Sequence, residues 1–282
     1  MTVNRTKTQG RAGDSGFQWA AGIVLTVGGL LMLLPFLWMI LSAFKTESEV
    51  LQIPPTMIPA EVTFDNFRNL FANMNFALYL RNTLIIVLFS FLGLFLNAMA
   101  GFAFAKYTFK GKEKFFLLVL ATMMIPGQVT MIPVYLILNY MGLTNTMAGI
   151  VLPGLVGAFG IFLFRQFMST IPDELLEATR LDGAGEFRTF LQIVLPISKP
   201  IIAVQAILTF IAGWNSFLWP LIIANDEALY TLSVGLSLLK GQYGGNYALQ
   251  MAGSAFMVVP IIAIFVFFQK HIIENYSISG MK

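Results

Sequence analysis

The stretch that decides the fold runs Ile171-Pro172-Asp173-Glu174-Leu175-Leu176-Glu177-Ala178-Thr179-Arg180-Leu181-Asp182-Gly183 and continues Ala184-Gly185-Glu186-Phe187-Arg188-Thr189-Phe190-Leu191-Gln192-Ile193-Val194-Leu195-Pro196. It reads as two short helices with a break between them. Pro172 and the acids Asp173 and Glu174 suit a helix start, where the helix dipole favours negative charge. Gly183 suits a C-terminal stop and Pro196 the entry to the next element. Leu175, Leu176, Ala178, Thr179 and Leu181 make the first helix small and apolar over part of its surface, with charges around it. A loop facing only water needs no such surface. A helix docking into a groove on a partner does.

Outward from this loop the chain is overwhelmingly apolar. Of its 282 residues 57% are hydrophobic and only 11% charged, with a mean hydropathy of +0.77, against about 25% charged in an ordinary soluble domain. No soluble core of this size hides so much apolar surface, so the surrounding medium is lipid. A helix crosses a bilayer with roughly 20 apolar residues. Six runs qualify, at about 17–43, 82–106, 115–141, 147–168, 200–223 and 251–270. The first is too long for a cleavable leader and runs through Pro35 to Trp38 without a small-residue cleavage site, so it reads as a retained span. The expected fold class is all-α: a polytopic membrane protein of six transmembrane helices. Residues 1–16 are a polar, disordered N-terminus, 17–273 the six-helix domain with the loop 171–196, and 274–282 a C-terminal tail.

Basic residues set the orientation. Arg5, Lys7 and Arg11 precede the first span; Lys106, Lys110, Lys112 and Lys114 lie between the second and third; Arg165, Arg180, Arg188 and Lys199 between the fourth and fifth; Lys270 and Lys282 after the sixth. The opposite side holds only Lys45, Arg68, Arg81 and Lys240. The positive-inside rule then puts both termini, and the loop 171–196, in the cytoplasm. Two long loops fall outside. In 44–81, Pro54, Pro55 and Pro59 precede a helical pattern of Phe64, Phe67, Leu70 and Phe71 with Thr63 as its N-cap. The second, 224–250, is rich in Gly and Tyr near Gly241–Tyr247.

Some chemistry is excluded. The chain has no cysteine and one histidine, His271, which leaves no disulfide, thiolate metal site or histidine-based triad. No Walker A pattern occurs. No Asp, Glu, Lys or Arg lies well inside a span, whereas ion-coupled carriers use such a residue. A neutral solute fits better.

The loop resembles the signature loop of the membrane (permease) subunits of ABC-type importers, whose pattern is Glu-Ala-Ala, three residues, Gly, nine residues, Ile, one residue, Leu-Pro. Glu177-Ala178-Thr179, Gly183, Ile193 and Leu195-Pro196 stand at that spacing. The departure is Thr179, small enough for a tight groove but carrying a hydroxyl. The six-span plan, Asp182-Gly183-Ala184, Trp214-Asn215, the run Tyr230–Gly235 and the closing Tyr276–Lys282 are similar to the second membrane subunit of maltose-type carbohydrate importers, over nearly the whole chain.

The resemblance implies a type I ABC importer fold and a non-enzymatic translocation role. The loop's first helix becomes a coupling helix seated in a cleft on an ATP-hydrolysing subunit, with Glu177, Ala178, Thr179, Asp182, Gly183, Ile193, Leu195 and Pro196 as the coupling residues. It implies no cofactor in this chain; ATP and Mg are bound by two partner ATPase subunits. The other partners are a second homologous permease subunit, an external solute-binding protein, a sugar and membrane lipid, with no nucleic acid. Gln242, Tyr243, Gly244, Gly245 and Asn246 correspond in position to a loop that probes the binding protein, and the tail to a segment reaching the ATPase pair. The implied location is a prokaryotic cell membrane, which is the inner membrane if the cell is Gram-negative. Polar and aromatic residues inside spans are candidates for the sugar path: Asn97, Gln128, Gln205, Trp214, Asn215 and Trp219. Trp214 and Trp219 have rings suited to an apolar sugar face. Pro126 and Pro133 should kink the third span. Rival readings keep the machinery with a phosphorylated polyol or acidic oligosaccharide as cargo, or make the chain an ATP-independent carrier.

Overall fold

The computed structural model describes residues 13–242 and 245–279, and every regular element among them is helical. A helix satisfies its backbone hydrogen bonds internally, which is what a chain this apolar needs in lipid. In order, the helices are α1 Gly13–Ser42, α2 Glu47–Val50, α3 Asp65–Asn73, α4 Phe76–Lys106, α5 Lys112–Met123, α6 Gly127–Tyr140, α7 Met147–Val151, α8 Ala158–Met168, α9 Asp173–Leu181, α10 Glu186–Thr189, α11 Leu195–Ile197, α12 Lys199–Trp214, α13 Leu218–Ile223, α14 Leu232–Gln242 and α15 Tyr247–Ser279.

Among the described residues, five helical stretches are long and apolar enough to cross a membrane: Gly16–Ser42, Phe76–Lys106, Met147–Met168, Lys199–Ile223 and Tyr247–Gln269. The expected third span is instead a broken pair, α5 and α6, which meet at 104°. The break falls at Pro126, which lacks an amide to donate and drives the residue before it out of helical geometry. Pro133, expected to contribute a kink, lies inside the continuous helix α6. Two further spans are interrupted. A 3₁₀ turn at Leu152–Gly154 follows α7 before α8 begins at Ala158, and Asn215–Phe217 separate α12 from α13. Only α4, with 31 residues and no proline, is unbroken among the inner spans 2 to 5.

The chain forms two compact units. One holds the described residues up to Phe67, with Tyr247–Ala255. Its polar framework surrounds Lys45, which is 1% exposed and donates to the Thr56 carbonyl and, at 3.0 Å, to the Thr56 hydroxyl. That hydroxyl and the Ala60 amide both donate to Glu49 Oε1 at 2.9 Å. The Ala60 amide leads the contacts that hold the Glu49 carboxyl below its usual range, helped by Thr56 and Lys45. Asn66 Nδ2 ties in the carbonyls of Ala43 and Lys45 at 2.9 and 2.7 Å. Thr63 takes the Asp65 amide at 3.2 Å at the start of α3, the helix its pattern predicted. Glu47 caps α15, accepting from the amides of Tyr247 at 3.1 Å and Ala248 at 2.8 Å.

The second unit holds Arg68–Asn246 and the described residues from Phe256 onward. Its centre is α4, packed against α8 and α12. Two glycines of α4 allow the approach to α8. A Cβ at Gly93 would lie 1.9 Å from the Leu155 carbonyl oxygen, and one at Gly101 would lie 2.4 Å from Phe164 Cβ. The segment 224–250, expected as a long outer loop rich in Gly and Tyr, contains the 11-residue helix α14, which buries Leu232, Val234 and Leu239. A carboxylate holds its approach: Asn75 Nδ2 donates to Glu227 Oε1 at 2.8 Å, and the Tyr79 hydroxyl donates to the same oxygen.

Candidate coupling loop and transport cavity

The loop 171–196 is built as its sequence predicts, and two features give it a defined shape. Helix α9 ends in a Schellman motif: Gly183 has a φ of +79°, its amide donates to the Arg180 carbonyl at 3.0 Å, and the Ala184 amide reaches the Thr179 carbonyl at 3.0 Å. Glycine takes this left-handed conformation without a Cβ penalty. A Cβ at Gly183 would meet nothing among the described residues within 4 Å. On its inner side α9 buries Leu176 in a cluster with Phe102, Phe164, Met168, Ile171, Phe190 and Val194, a burial that contributes roughly 2 kcal/mol.

Polar contacts fix the rest of the loop. Arg180 Nε donates to Glu186 Oε1 at 2.8 Å and its Nη2 to Oε2 at 3.3 Å. Tyr107 OH donates to the same carboxylate at 3.0 Å. Lys106 Nζ donates to Asp173 Oδ1 at 2.7 Å and to the Ile171 carbonyl. These contacts set the local electrostatics. Arg180 holds the Glu186 carboxyl below its usual range, and Lys106 does the same for Asp173. Burial, then the hydrogen bond to Glu186, push the Tyr107 phenol up to about 12.

The predicted coupling residues divide by orientation. Glu177, Ala178, Asp182, Gly183 and Pro196 are exposed. So are Leu175 and Leu181, the latter 89% exposed. Thr179 turns the other way: its hydroxyl donates to the Leu176 carbonyl at 2.8 Å and lies 3.2 Å from the Thr189 hydroxyl. The hydroxyl that distinguishes Thr179 from alanine is thus occupied within the loop. Ile193 and Leu195 are half-buried, and Leu195 packs against the cluster around Leu176.

A cavity of about 510 Å³ opens between α4, α6, the α7 region and α12–α13, lined by Ser90, Gln128, Thr130, Ser216, Trp219 and apolar residues such as Phe89. Among the described residues, no charged side chain lines it. Of the six path candidates, Gln128 and Trp219 line this cavity. The Trp219 indole N–H donates to the Gly149 carbonyl at 3.2 Å. The other four lie elsewhere. Asn97 accepts from the Gly157 amide at 3.0 Å and packs against Gly160, tying the interrupted fourth span to α4. Trp214 is buried, stacked with Phe210 and Phe256, and its indole donates to the Met257 carbonyl at 2.9 Å. Gln205 is buried in α12 with its Nε2 unpartnered among the described residues. Asn215 is exposed at the C-terminal end of α12. Of the candidate binding-protein loop, Tyr243 and Gly244 lie outside the described residues, as do residues 280–282 of the tail; Gln242 ends α14, and Gly245 has a φ of +86° just before Asn246.

Sequence reasoning placed Lys106 only as a cytoplasmic charge and gave Tyr107, Thr189 and Ser90 no role. Their partners lie on other elements, and no local pattern encodes such a pairing.

Comparison with known proteins agrees with this architecture. Residues 97–276 match the family described as "Binding-protein-dependent transport system inner membrane component". The arabinooligosaccharides transport system permease protein AraQ of Halalkalibacterium halodurans is 36% identical over 267 residues, covering 92% of this chain and 96% of that protein. The lactose transport system permease protein LacG of Rhizobium radiobacter is 31% identical over 253 residues, covering 89% and 92%. The crystal structure of a bacterial ABC transporter involved in the import of the acidic polysaccharide alginate superposes with a TM-score of 0.80 at 21% identity, over 94% of this chain and 99% of that one. That likeness carries the type I ABC importer permease fold. With a family match across most of its length and relatives above 30% identity over nine-tenths of it, this multi-pass membrane chain belongs to the binding-protein-dependent transport system inner membrane components, the permease subunits of ABC importers.

Proposed function

We propose that the chain is one of two membrane subunits of an importer that moves a neutral oligosaccharide into a prokaryotic cell, driven by ATP hydrolysis in two partner subunits. In this reading both termini and the loop 171–196 face the cytoplasm, as the distribution of basic residues indicates. Helix α9 seats in a cleft of an ATPase subunit, and an external binding protein delivers the sugar on the opposite side. ATP and Mg stay with the partners. Closure of the ATPase pair around ATP draws the coupling helices together and biases the membrane core between two states, as a differential binding energy must.

The observation that carries this reading is the two-sided build of α9. Its inner side is anchored by Leu176, Lys106 and Thr179, while Glu177, Ala178, Leu181 and Gly183 stand exposed. An apolar, 89% exposed Leu181 beside an open Gly183 suits insertion into a partner's groove. For the cargo, the cavity supplies, among the described residues, hydroxyl, amide and indole groups and no cation. A phosphorylated polyol or an acidic sugar would lack a counter-charge there.

The test is reconstitution with the second permease, the ATPase subunits and the binding protein. Gly183→Asp should abolish retention of the ATPase or its stimulation by the loaded binding protein, with both permeases still folded. Arabinotriose and lactose loaded onto the binding protein should raise turnover above the unloaded level, and glycerol 3-phosphate should not. Stimulation by glycerol 3-phosphate alone would move the reading to a phosphorylated cargo. Unaltered ATPase retention and stimulation in Gly183→Asp would rule out the coupling assignment.

A further inference from the structure

Lys106 is the last residue of α4 and Tyr107 the first beyond it, and together they grip the loop at two points. The Lys106 side chain is only 6% exposed, although a lysine at the end of an apolar helix normally extends its ammonium into water. Here it turns onto the Ile171 carbonyl and Asp173, the positions on either side of Pro172 where α9 begins. Tyr107 holds Glu186, the first residue of α10. Glu186 in turn binds Arg180, near the end of α9. Both ends of α9 are therefore tied to α4: the beginning through Lys106, the end through Arg180, Glu186 and Tyr107. A grip at two points transmits rotation as well as translation.

The far part of α4 is a cavity wall. Ile86, Phe89 and Ser90 line the cavity, and Ser90 lies 16 residues from Lys106, about 24 Å along a helix. The other walls belong to interrupted spans: α5 and α6 bend by 104°, a 3₁₀ turn separates α7 from α8, and Asn215–Phe217 separate α12 from α13. Such breaks absorb displacement, whereas a continuous helix without proline carries it. The loop's own covalent continuation toward α12 passes through a π-helical turn at Phe190–Val194, another point of give.

We propose that Lys106 and Tyr107 are positioning residues that make α4 the rod by which movement of the coupling helix reaches the transport cavity. The proposal rests on the coupling reading of α9. Because the chain contains no cysteine, a single nitroxide attached at Ser90→Cys before assembly with the partner subunits reports on the α4 wall in the fully assembled importer. ATP binding by the partner subunits should change the label's mobility. Lys106→Met should reduce that change about fivefold or more, the scale of a modest coupling energy, while the ATPase stays bound. Tyr107→Phe, which removes a single oxygen, should reduce it in the same direction. Lys106→Arg should restore most of it, since a guanidinium reaches the same carbonyl and carboxylate. If Lys106→Met fails to assemble, Tyr107→Phe and Asp173→Asn decide. A wild-type label that ignores ATP, or a full response in Tyr107→Phe and Asp173→Asn with the ATPase retained, overturns the rod. Gly183→Asp in the same preparation separates the two levels. Unaltered ATPase retention and stimulation there sinks the coupling reading itself, while loss of either alongside full responses in the tether variants sinks only the rod.

Discussion

Gly183 concentrates the demands made on single residues in this chain. Its backbone is left-handed and its missing Cβ would touch nothing among the described residues. Strain and partner contact can therefore be told apart by substitution. Asparagine tolerates the left-handed conformation, so Gly183→Asn should leave the melting temperature of the detergent-solubilised permease nearly unchanged yet weaken ATPase retention; a large drop in melting temperature would make the residue structural. The loop's ion pairs have a defined pH window. Lys106 lowers the Asp173 carboxyl and Arg180 lowers that of Glu186. A depressed folded value contributes stability that is fully present above the unfolded value, about 4, and is lost as pH falls through the folded value. ATPase retention should therefore be flat between about pH 8 and pH 6 as these carboxylates see it, and pull-down across that range checks it. Thr179 shows where local reading stops. Its size was legible from the signature, but its hydroxyl bond to Thr189 depends on how the second arm of the loop folds back.

Helix by helix, the apolar runs located the spans well, because burial in lipid imposes length and composition directly. What they hid were the interruptions. A 104° bend costs the hydropathy profile nothing, and Pro126 and Pro133 look alike in sequence although only Pro126 sits at the bend. Pro133→Ala should therefore leave transport intact, whereas Pro126→Leu should let the helix run on and abolish import while the ATPase remains bound; uptake in proteoliposomes distinguishes them. The α14 segment was misjudged for a related reason. The whole outer segment 224–250 reads as a loop because of the Gly and Tyr near 241–247, but Leu232, Val234 and Leu239 bury one side of a helix before them. Close approach of α4 to the turn before α8 gives the sharpest contrast in stability. Gly93→Ala places a methyl group 1.9 Å from the Leu155 carbonyl oxygen and should cost roughly 1–3 kcal/mol or more. Gly154→Ala meets nothing within 4 Å and should be nearly neutral. Thermal unfolding of the solubilised protein reads both.

At the level of the whole molecule, topology remains the broadest expectation, and the absence of cysteine makes it directly measurable. A cysteine at Lys110 should react with an impermeant maleimide only from the cytoplasmic side, and one at Glu61 only from the outside; the reverse pattern would invert the positive-inside assignment. The candidate cavity was the least legible feature. Gln128 and Trp219 could be nominated for their chemistry, but Ser90 and Ser216 join them only because the fold brings α4 and the break between α12 and α13 to the same cavity. Glu47 has a consequence of another kind. It caps α15 through amides 200 and 201 positions later in the chain, so the acceptor leaves the ribosome long before its donors exist. The contacts around Lys45 and Glu49 lie within residues 43–66 and form without the later helices, whereas the Glu47 cap closes only when the sixth span arrives. A nascent chain stalled one helix short leaves the Glu47 carboxylate without these two donors.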